Sequence, residues 1–160
     1  GSLLLVMAGI ADNKEIARGM LSKAVESGAA LKKFRDMVLA QGGDVAQIDD
    51  PKKLPLAKHM TELAAPDSGY ICHMEAVRLG TLAMQIGAGR AAKDDKILPG
   101  TGIVLEAKVG DLVKKGQTLA RIYHDKPLSG EWISDFYNSY RLTDQPSRRN
   151  PLIYKILGNV

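Results

Sequence analysis

Apolar positions recur at helical spacing through the first quarter of the chain. Ile16, Met20, Leu21, Ala24 and Val25 share one face behind Asp12-Asn13-Lys14-Glu15, where an Asx residue precedes Glu by three positions in the capping-box pattern. Gly28, after Ser27, supplies a C-terminal stop. A second helix is predicted from about Ala30, with Leu31, Phe34, Met37 and Val38 on one face and an end at Gly42-Gly43. Joined by so short a turn, the two helices are expected to pack on each other. The run "LLLVMAGIA" (Leu3–Ala11) reads as a buried helix end packed with them.

The pattern then changes. "DVAQIDDPKKLP" (Asp44–Pro55) is polar and turn-rich with two prolines, the best boundary in the chain. "LAKHMTELAAPDSGYICHM" predicts two extended segments around a Pro-Asp-Ser-Gly turn. Helical period returns through Ala76, Leu79, Leu82, Ala83 and Ile86, and Gly87 and Gly89 end it. A charged connector, Arg90–Lys96, leads into the most strand-like part, Ile97–Tyr123. Helical character follows around Glu131–Tyr140, then a loop with Pro146 and Pro151 and an apolar tail "PLIYKIL". The predicted class is α+β: residues 1–44 helical, 45–55 a linker, 56–160 a mixed domain.

Within "VGDLVKKGQTLARI", Gly110 and Gly116 fit turn positions of positive φ, and Asp111 can bond its own turn backbone. Val109, Val113, Leu119 and Ile122 supply apolar contacts between the two arms. This is the pattern of a β-hammerhead, or barrel-sandwich-like, hairpin, which specifies shape more than chemistry. One alternative gives it chemistry: in "ARIYHDKP", Lys126 stands where a lipoyl- or biotinyl-type carrier module bears its cofactor. Against that, such a lysine tops a tight hairpin with further strands behind it. Here Pro127 and a helical pattern follow, and no Met-Lys-Met occurs.

Several stretches in a fixed order carry a resemblance along almost the whole chain: "GSLLLVMAGIA", "SGAALKKFRDMVLAQGGD", "LGTLAMQIGAGRAAKDDKI", "GIVLEAKVGDLVKKGQTLARIY" and "PLIYKIL". They resemble the C-terminal third of the pyrimidine-nucleoside or thymidine phosphorylases. The resemblance implies a parent, a homodimer, that cleaves pyrimidine nucleosides with inorganic phosphate to the free base and a pentose 1-phosphate, without a further cofactor. It also implies that residues 1–44 are the last helices of a larger α/β domain, followed by the C-terminal α+β domain. The family's Ser-Gly-Arg-Gly start and Gly-Gly-Thr-x-Asp run do not occur here. The resemblance therefore assigns no catalytic residue to this chain, and the expectation is a fragment inactive by itself, partnered by a missing N-terminal part. Departures at "EAVRLG" (Glu75–Gly80) and "HDKPLSGEWISDFYNSYRL" leave open the nucleoside preference and a relative acting on AMP.

Composition narrows the remaining candidates. A net charge of +4 spread through the chain and 5% aromatics offer little to stack nucleobases, so no nucleic-acid partner is expected. No apolar run approaches the roughly 18 residues that span a bilayer, so no membrane partner is expected. The single cysteine, Cys72, fits a reducing, cytoplasmic compartment and is read as a buried small apolar residue. His59, His73 and His124 lack ligand spacing, so no metal is expected. Gly87-Ala88-Gly89-Arg90 carries amides and a guanidinium suited to phosphate, but it ends a helix, where the dipole repels anions. Arg90 and Lys93 are thus the only candidates for a place near phosphate or another ligand, and Asp94-Asp95 read as a solvated turn. Trp132, Tyr137 and Tyr140 are expected to pack a late helix on the sheet.

Overall fold

The computed structural model describes residues 1–149 and 151–157. The chain separates into two compact units, Gly1–Leu54 with tail residues 152–157, and Pro55–Pro151.

The first unit is helical: α1 Ser2–Met7, α2 Lys14–Glu26, α3 Ala29–Ala40 and the single turn α4 Ala46–Asp49. The cap of α2 differs from the predicted box. Asn13 Oδ1 accepts from Ile16 N at 2.9 Å, which puts Glu15 in the first turn, one place too early to close the reciprocal bond. There its charge still favours the positive helix end. Gly28, at φ +77°, both stops α2 and caps α3. Arg35 pairs with Asp49 through Nε–Oδ1 at 2.9 Å and Nη2–Oδ2 at 3.2 Å, tying α4 to α3.

The expectation of a buried Leu3–Ala11 is corrected. Leu4 and Met7 are 68% and 69% exposed, and among the described residues of this unit burial reaches only the small Ala11 and Ala17. A six-residue helix can lay one narrow stripe on a neighbour, which leaves its larger side chains outside. The predicted apolar faces of α2 and α3 are outside too: Val25 is 71% exposed, Leu31 60%, and Ile16, Phe34 and Met37 are also exposed.

The second unit is two three-stranded antiparallel sheets with two helices. Its elements are β1 His59–Ala64, β2 Gly69–Met74, α5 Ala76–Ala83, β3 Gly102–Leu105, β4 Leu112–Val113, β5 Thr118–His124, α6 Gly130–Asn138 and β6 Tyr140–Thr143. One sheet runs β1-β5-β3 and the other β4-β2-β6. The observed α+β class is therefore as predicted, but the hairpin is rearranged. β5 pairs with β1 and with β3 (Ile103 opposite Ile122), whereas Leu112–Val113 crosses to the other sheet and pairs with Gly69–Tyr70. The two arms expected to pair with each other instead face each other across one core.

Turn chemistry explains the crossing. Gly110 adopts φ +93°, Asp111 Oδ2 accepts from Lys108 N at 2.9 Å, and Arg149 pairs with Asp111 Oδ1. The backbone then bonds β2 on both sides of Ile71: Gly110 N to Ile71 O at 2.8 Å and Ile71 N to Asp111 O at 2.9 Å. The Asp111 carboxyl is held below the usual carboxylate range, first by the Lys108 amide and next by Arg149. Gly116, at φ +84°, makes the second predicted turn, its N–H bonded to Ala65 O at 2.9 Å.

The core joins Leu63, Ile71, Val113, Leu119 and Ile122 from the strands to Leu79 and Leu82 of α5 and Trp132 and Phe136 of α6. Phe136, 0% exposed, stands 6.2 Å from the Trp132 ring and 5.3 Å from that of Tyr140. The predicted aromatic packing holds, with Phe136 at its centre and Tyr140 on a strand. Trp132 Nε1 donates to Leu82 O at 3.1 Å, so α6 is bonded to α5 as well as packed on it.

Tyr140 carries a testable cost. Its hydroxyl is buried with no partner among the described residues, and burial pushes the phenol up to about 12. The folded value lies above the ordinary one near 10, so folding favours the neutral phenol. That contribution is whole below about pH 10 and is lost as pH rises toward 12. Tyr140→Phe removes an unpaired buried hydroxyl and is expected to leave stability unchanged or raise it by about 1 kcal/mol. It should also remove this part of the decline between pH 10 and 12. Urea unfolding of both proteins at pH 7, 10 and 11 reads both effects; a loss of stability at pH 7 would show that the hydroxyl is satisfied.

Candidate functional site

The predicted ligand-proximal residues lie in a loop built around the end of α5. After Ala83 the helix widens into a π turn, Met84–Ala88, a departure often associated with functional sites. Gly87 breaks it at φ +102°, and its carbonyl accepts from Leu98 N at 2.8 Å. A Cβ on Gly87 would lie 2.7 Å from Leu98 Cδ1, so only glycine lets the loop close here.

Beyond it Arg90 and Lys93 are both exposed. Two of the loop's amides are engaged within it: Asp95 Oδ2 accepts from Ala91 N at 3.0 Å and from Ala92 N at 2.8 Å. Asp95 is thus the cap of a solvated turn, as predicted, and it occupies two of the loop's amide donors. What the loop presents outward is two cationic side chains.

A partly enclosed concavity of the second unit lies between the π turn and the start of α6. It holds about 320 Å³ and is lined by Gln85, Ile86, Leu98, Lys126, Pro127, Leu128, Ser129 and Trp132, at the lower end of the range for small-molecule sites. Ser129 Oγ accepts from Trp132 N at 3.1 Å and so starts α6. Sequence reading missed Ser129 and Gln85. The signal for Ser129 was present in "PLSGEW", a small hydroxyl residue directly before a helical run. Nothing local marks Gln85, because its position depends on the π turn.

Lys126 lies in the β5–α6 connection and borders this cleft; it is not at the tip of a tight hairpin, so the carrier-module alternative is not favoured. Its carbonyl accepts from His124 Nδ1 at 2.8 Å. His124 is buried, with Nε2 2.9 Å from Thr61 Oγ1 and its ring 5.5 Å from that of His59, its partner across the β1–β5 ladder. Both nitrogens of His124 are thus engaged in structural bonds. Among the described residues no group of three or more His, Cys, Asp or Glu side chains converges as a metal site would require.

Cys72 corrects an expectation: it is exposed, with Sγ 3.3 Å from the Arg141 carbonyl. The β2–β6 register shifts between Ile71 and His73, and with Ile71 turned into the core, alternation places the thiol outside. Among the described residues no helix is long and apolar enough to cross a membrane.

Comparison with known proteins gives this geometry a family. The pyrimidine nucleoside phosphorylase C-terminal domain matches residues 70–143, inside the second unit. The chain is 42% identical over 154 residues to a pyrimidine-nucleoside phosphorylase of Geobacillus stearothermophilus, covering 96% of this chain and 36% of that protein. Identity is 39% over 142 residues to the pyrimidine-nucleoside phosphorylase of Bacillus subtilis (89% and 33% covered) and 38% over 157 residues to that of Staphylococcus haemolyticus (98% and 36%). This chain therefore spans about a third of the length of the curated relatives it matches. By the matched domain and the alignment of nearly all its own residues, this chain is similar to the C-terminal part of the pyrimidine-nucleoside phosphorylases.

Proposed function

We propose that this chain is the C-terminal part of a cytoplasmic, homodimeric enzyme that cleaves the N-glycosidic bond of pyrimidine nucleosides with inorganic phosphate as co-substrate. The products are the free base and a pentose 1-phosphate. One observation carries the reading: similarity covers 96% of this chain but only 36% of the Geobacillus stearothermophilus relative. The reacting groups then belong to the N-terminal two-thirds, and the chain acts as a supporting lobe.

Two features support this division. The exposed apolar faces of α2 and α3 are what helices look like when the rest of their domain is elsewhere. In the Arg90 loop, two amides that an anion would need, those of Ala91 and Ala92, are already taken by Asp95. Residues 1–44 are in this reading the last helices of the large α/β domain, 45–55 the connection, and residues from 56 onward the C-terminal domain. That domain rocks with the phosphate-binding half as the cleft closes. Arg90 and Lys93 are the side chains of this chain assigned nearest to phosphate, as mobile exposed cations and not as the reacting set.

The chain by itself should neither bind nor turn over nucleoside. Calorimetric titration with uridine, thymidine and phosphate, singly and together, is expected to show no binding in the micromolar range. Micromolar affinity for a nucleoside would place the substrate site inside these residues and refute the division.

A further inference from the structure

The cleft beside Lys126 has no role in the reading above, which places substrate elsewhere, yet it is built like a small-molecule site. Ile86, Leu98 and Leu128 supply apolar lining and Trp132 an aromatic one, while Lys126, Ser129 and Gln85 contribute polar groups. A few polar groups against an apolar lining is the usual composition of such a site.

Charge selects the ligand. No carboxylate among the described residues lies within 4.0 Å of the Lys126 ammonium. The backbone that presents it is held on both sides: the Lys126 carbonyl by His124 Nδ1, and Asp125 Oδ1 by the Lys58 N–H at 2.9 Å. The lysine is therefore exposed, uncompensated and carried on a fixed turn. The adjacent Asp125 is held by the Lys58 amide, and Glu131 and Asp135 border an adjoining depression sharing Gln85, Ser129 and Trp132. Asp135 also stands 3.9 Å from Arg78 Nη1. Those carboxylates repel an anion from their side and leave the Lys126 end as the favourable one.

We propose that this cleft binds a small ring-bearing phosphate monoester, its ring against Trp132, Ile86 and Leu98 and its phosphate at Lys126. The assignment does not depend on phosphorolysis, because it requires neither a nucleoside nor the rest of a parent enzyme.

Trp132 is the only tryptophan of the chain and lines this cleft, so its fluorescence comes from a single site that the ligand would touch. The probe is phenyl phosphate, titrated into the 160-residue chain, with phenol and inorganic phosphate as separate arms. Phenyl phosphate should change the emission saturably, with a Kd on the order of 1 mM or tighter, as its size permits. Phenol and inorganic phosphate should each bind at least about tenfold more weakly, since each lacks one half of the recognised chemistry. Lys126→Gln, on an exposed side chain, should weaken phenyl phosphate about tenfold. Glu131→Gln, which removes a repelling charge, should tighten it about twofold. A matching thermal transition for each variant confirms that it is folded. No saturable change with phenyl phosphate, equal binding of phenol, or unchanged affinity in Lys126→Gln would each overturn the proposal.

Discussion

Phe136→Ala is expected to destabilise the second unit by about 3–5 kcal/mol, the cost of removing a buried aromatic ring and leaving its cavity. Phe136 is fully buried and contacts Trp132, Tyr137 and Tyr140 at ring separations of 6.2, 5.6 and 5.3 Å. Residues from α6 and β6 thus meet on it, and α6 is itself bonded to α5 through Trp132 Nε1 and Leu82 O. Relaxation cannot fill the void cheaply, because the neighbours are rigid rings already committed to other contacts. A typical domain is stable by about 5–15 kcal/mol in total, so the variant should approach unfolding at physiological temperature. Trp132 lies in this unit, and its fluorescence in urea follows the unit independently of the helices of the first. A loss below about 1 kcal/mol would show that the core is centred elsewhere.

The same residue shows how far the sequence alone could be read. Trp132, Tyr137 and Tyr140 stood out as a patch at nearly helical spacing, yet the deepest member, Phe136, was legible only as one more apolar position. Strand β6, Tyr140–Thr143, was missed because four residues with an arginine second carry almost no period of their own. They become a strand by pairing with β2 some seventy residues earlier, a non-local term. The turns at Gly110 and Gly116 were legible because each rests on local chemistry: a glycine at positive φ and, at the first, an aspartate that bonds its own backbone. Which strands those turns would join was not, because a turn gives direction and not partner. Leu112–Val113 is only two residues long, and its partner was settled by the bonds around Ile71.

For the candidate site the division is similar. The Arg90 loop and the solvated Asp94-Asp95 turn followed from helix-end and charge patterns. The cleft did not, since it needs the π turn at Met84–Ala88 and the α6 start to be brought together by the fold. Cys72 was misplaced for a comparable reason: a register shift is invisible in a run as short as "GYICHM". The apolar stripes of α2 and α3 were identified correctly as faces, but pattern alone does not say whether the covering partner is present.

The proposed division leads to the largest expected change in activity. Grafting this chain into the Geobacillus stearothermophilus relative, in place of the third it matches, should give a protein that phosphorolyses uridine or thymidine. The isolated chain should give none above the uncatalysed reaction. The physical ground is that orientation and charge stabilisation require a complete, water-excluding site, and such effects supply most of an enzyme's acceleration. In the chimera the exposed apolar faces of α2 and α3 are expected to be covered by the remainder.

The direct measurement is release of free base from nucleoside in the presence of phosphate, for the isolated chain and for the chimera side by side, with a thermal transition recorded for each. The account predicts silence from the first and phosphate-dependent turnover from the second. Turnover by the isolated chain, or a folded chimera without activity, would contradict it.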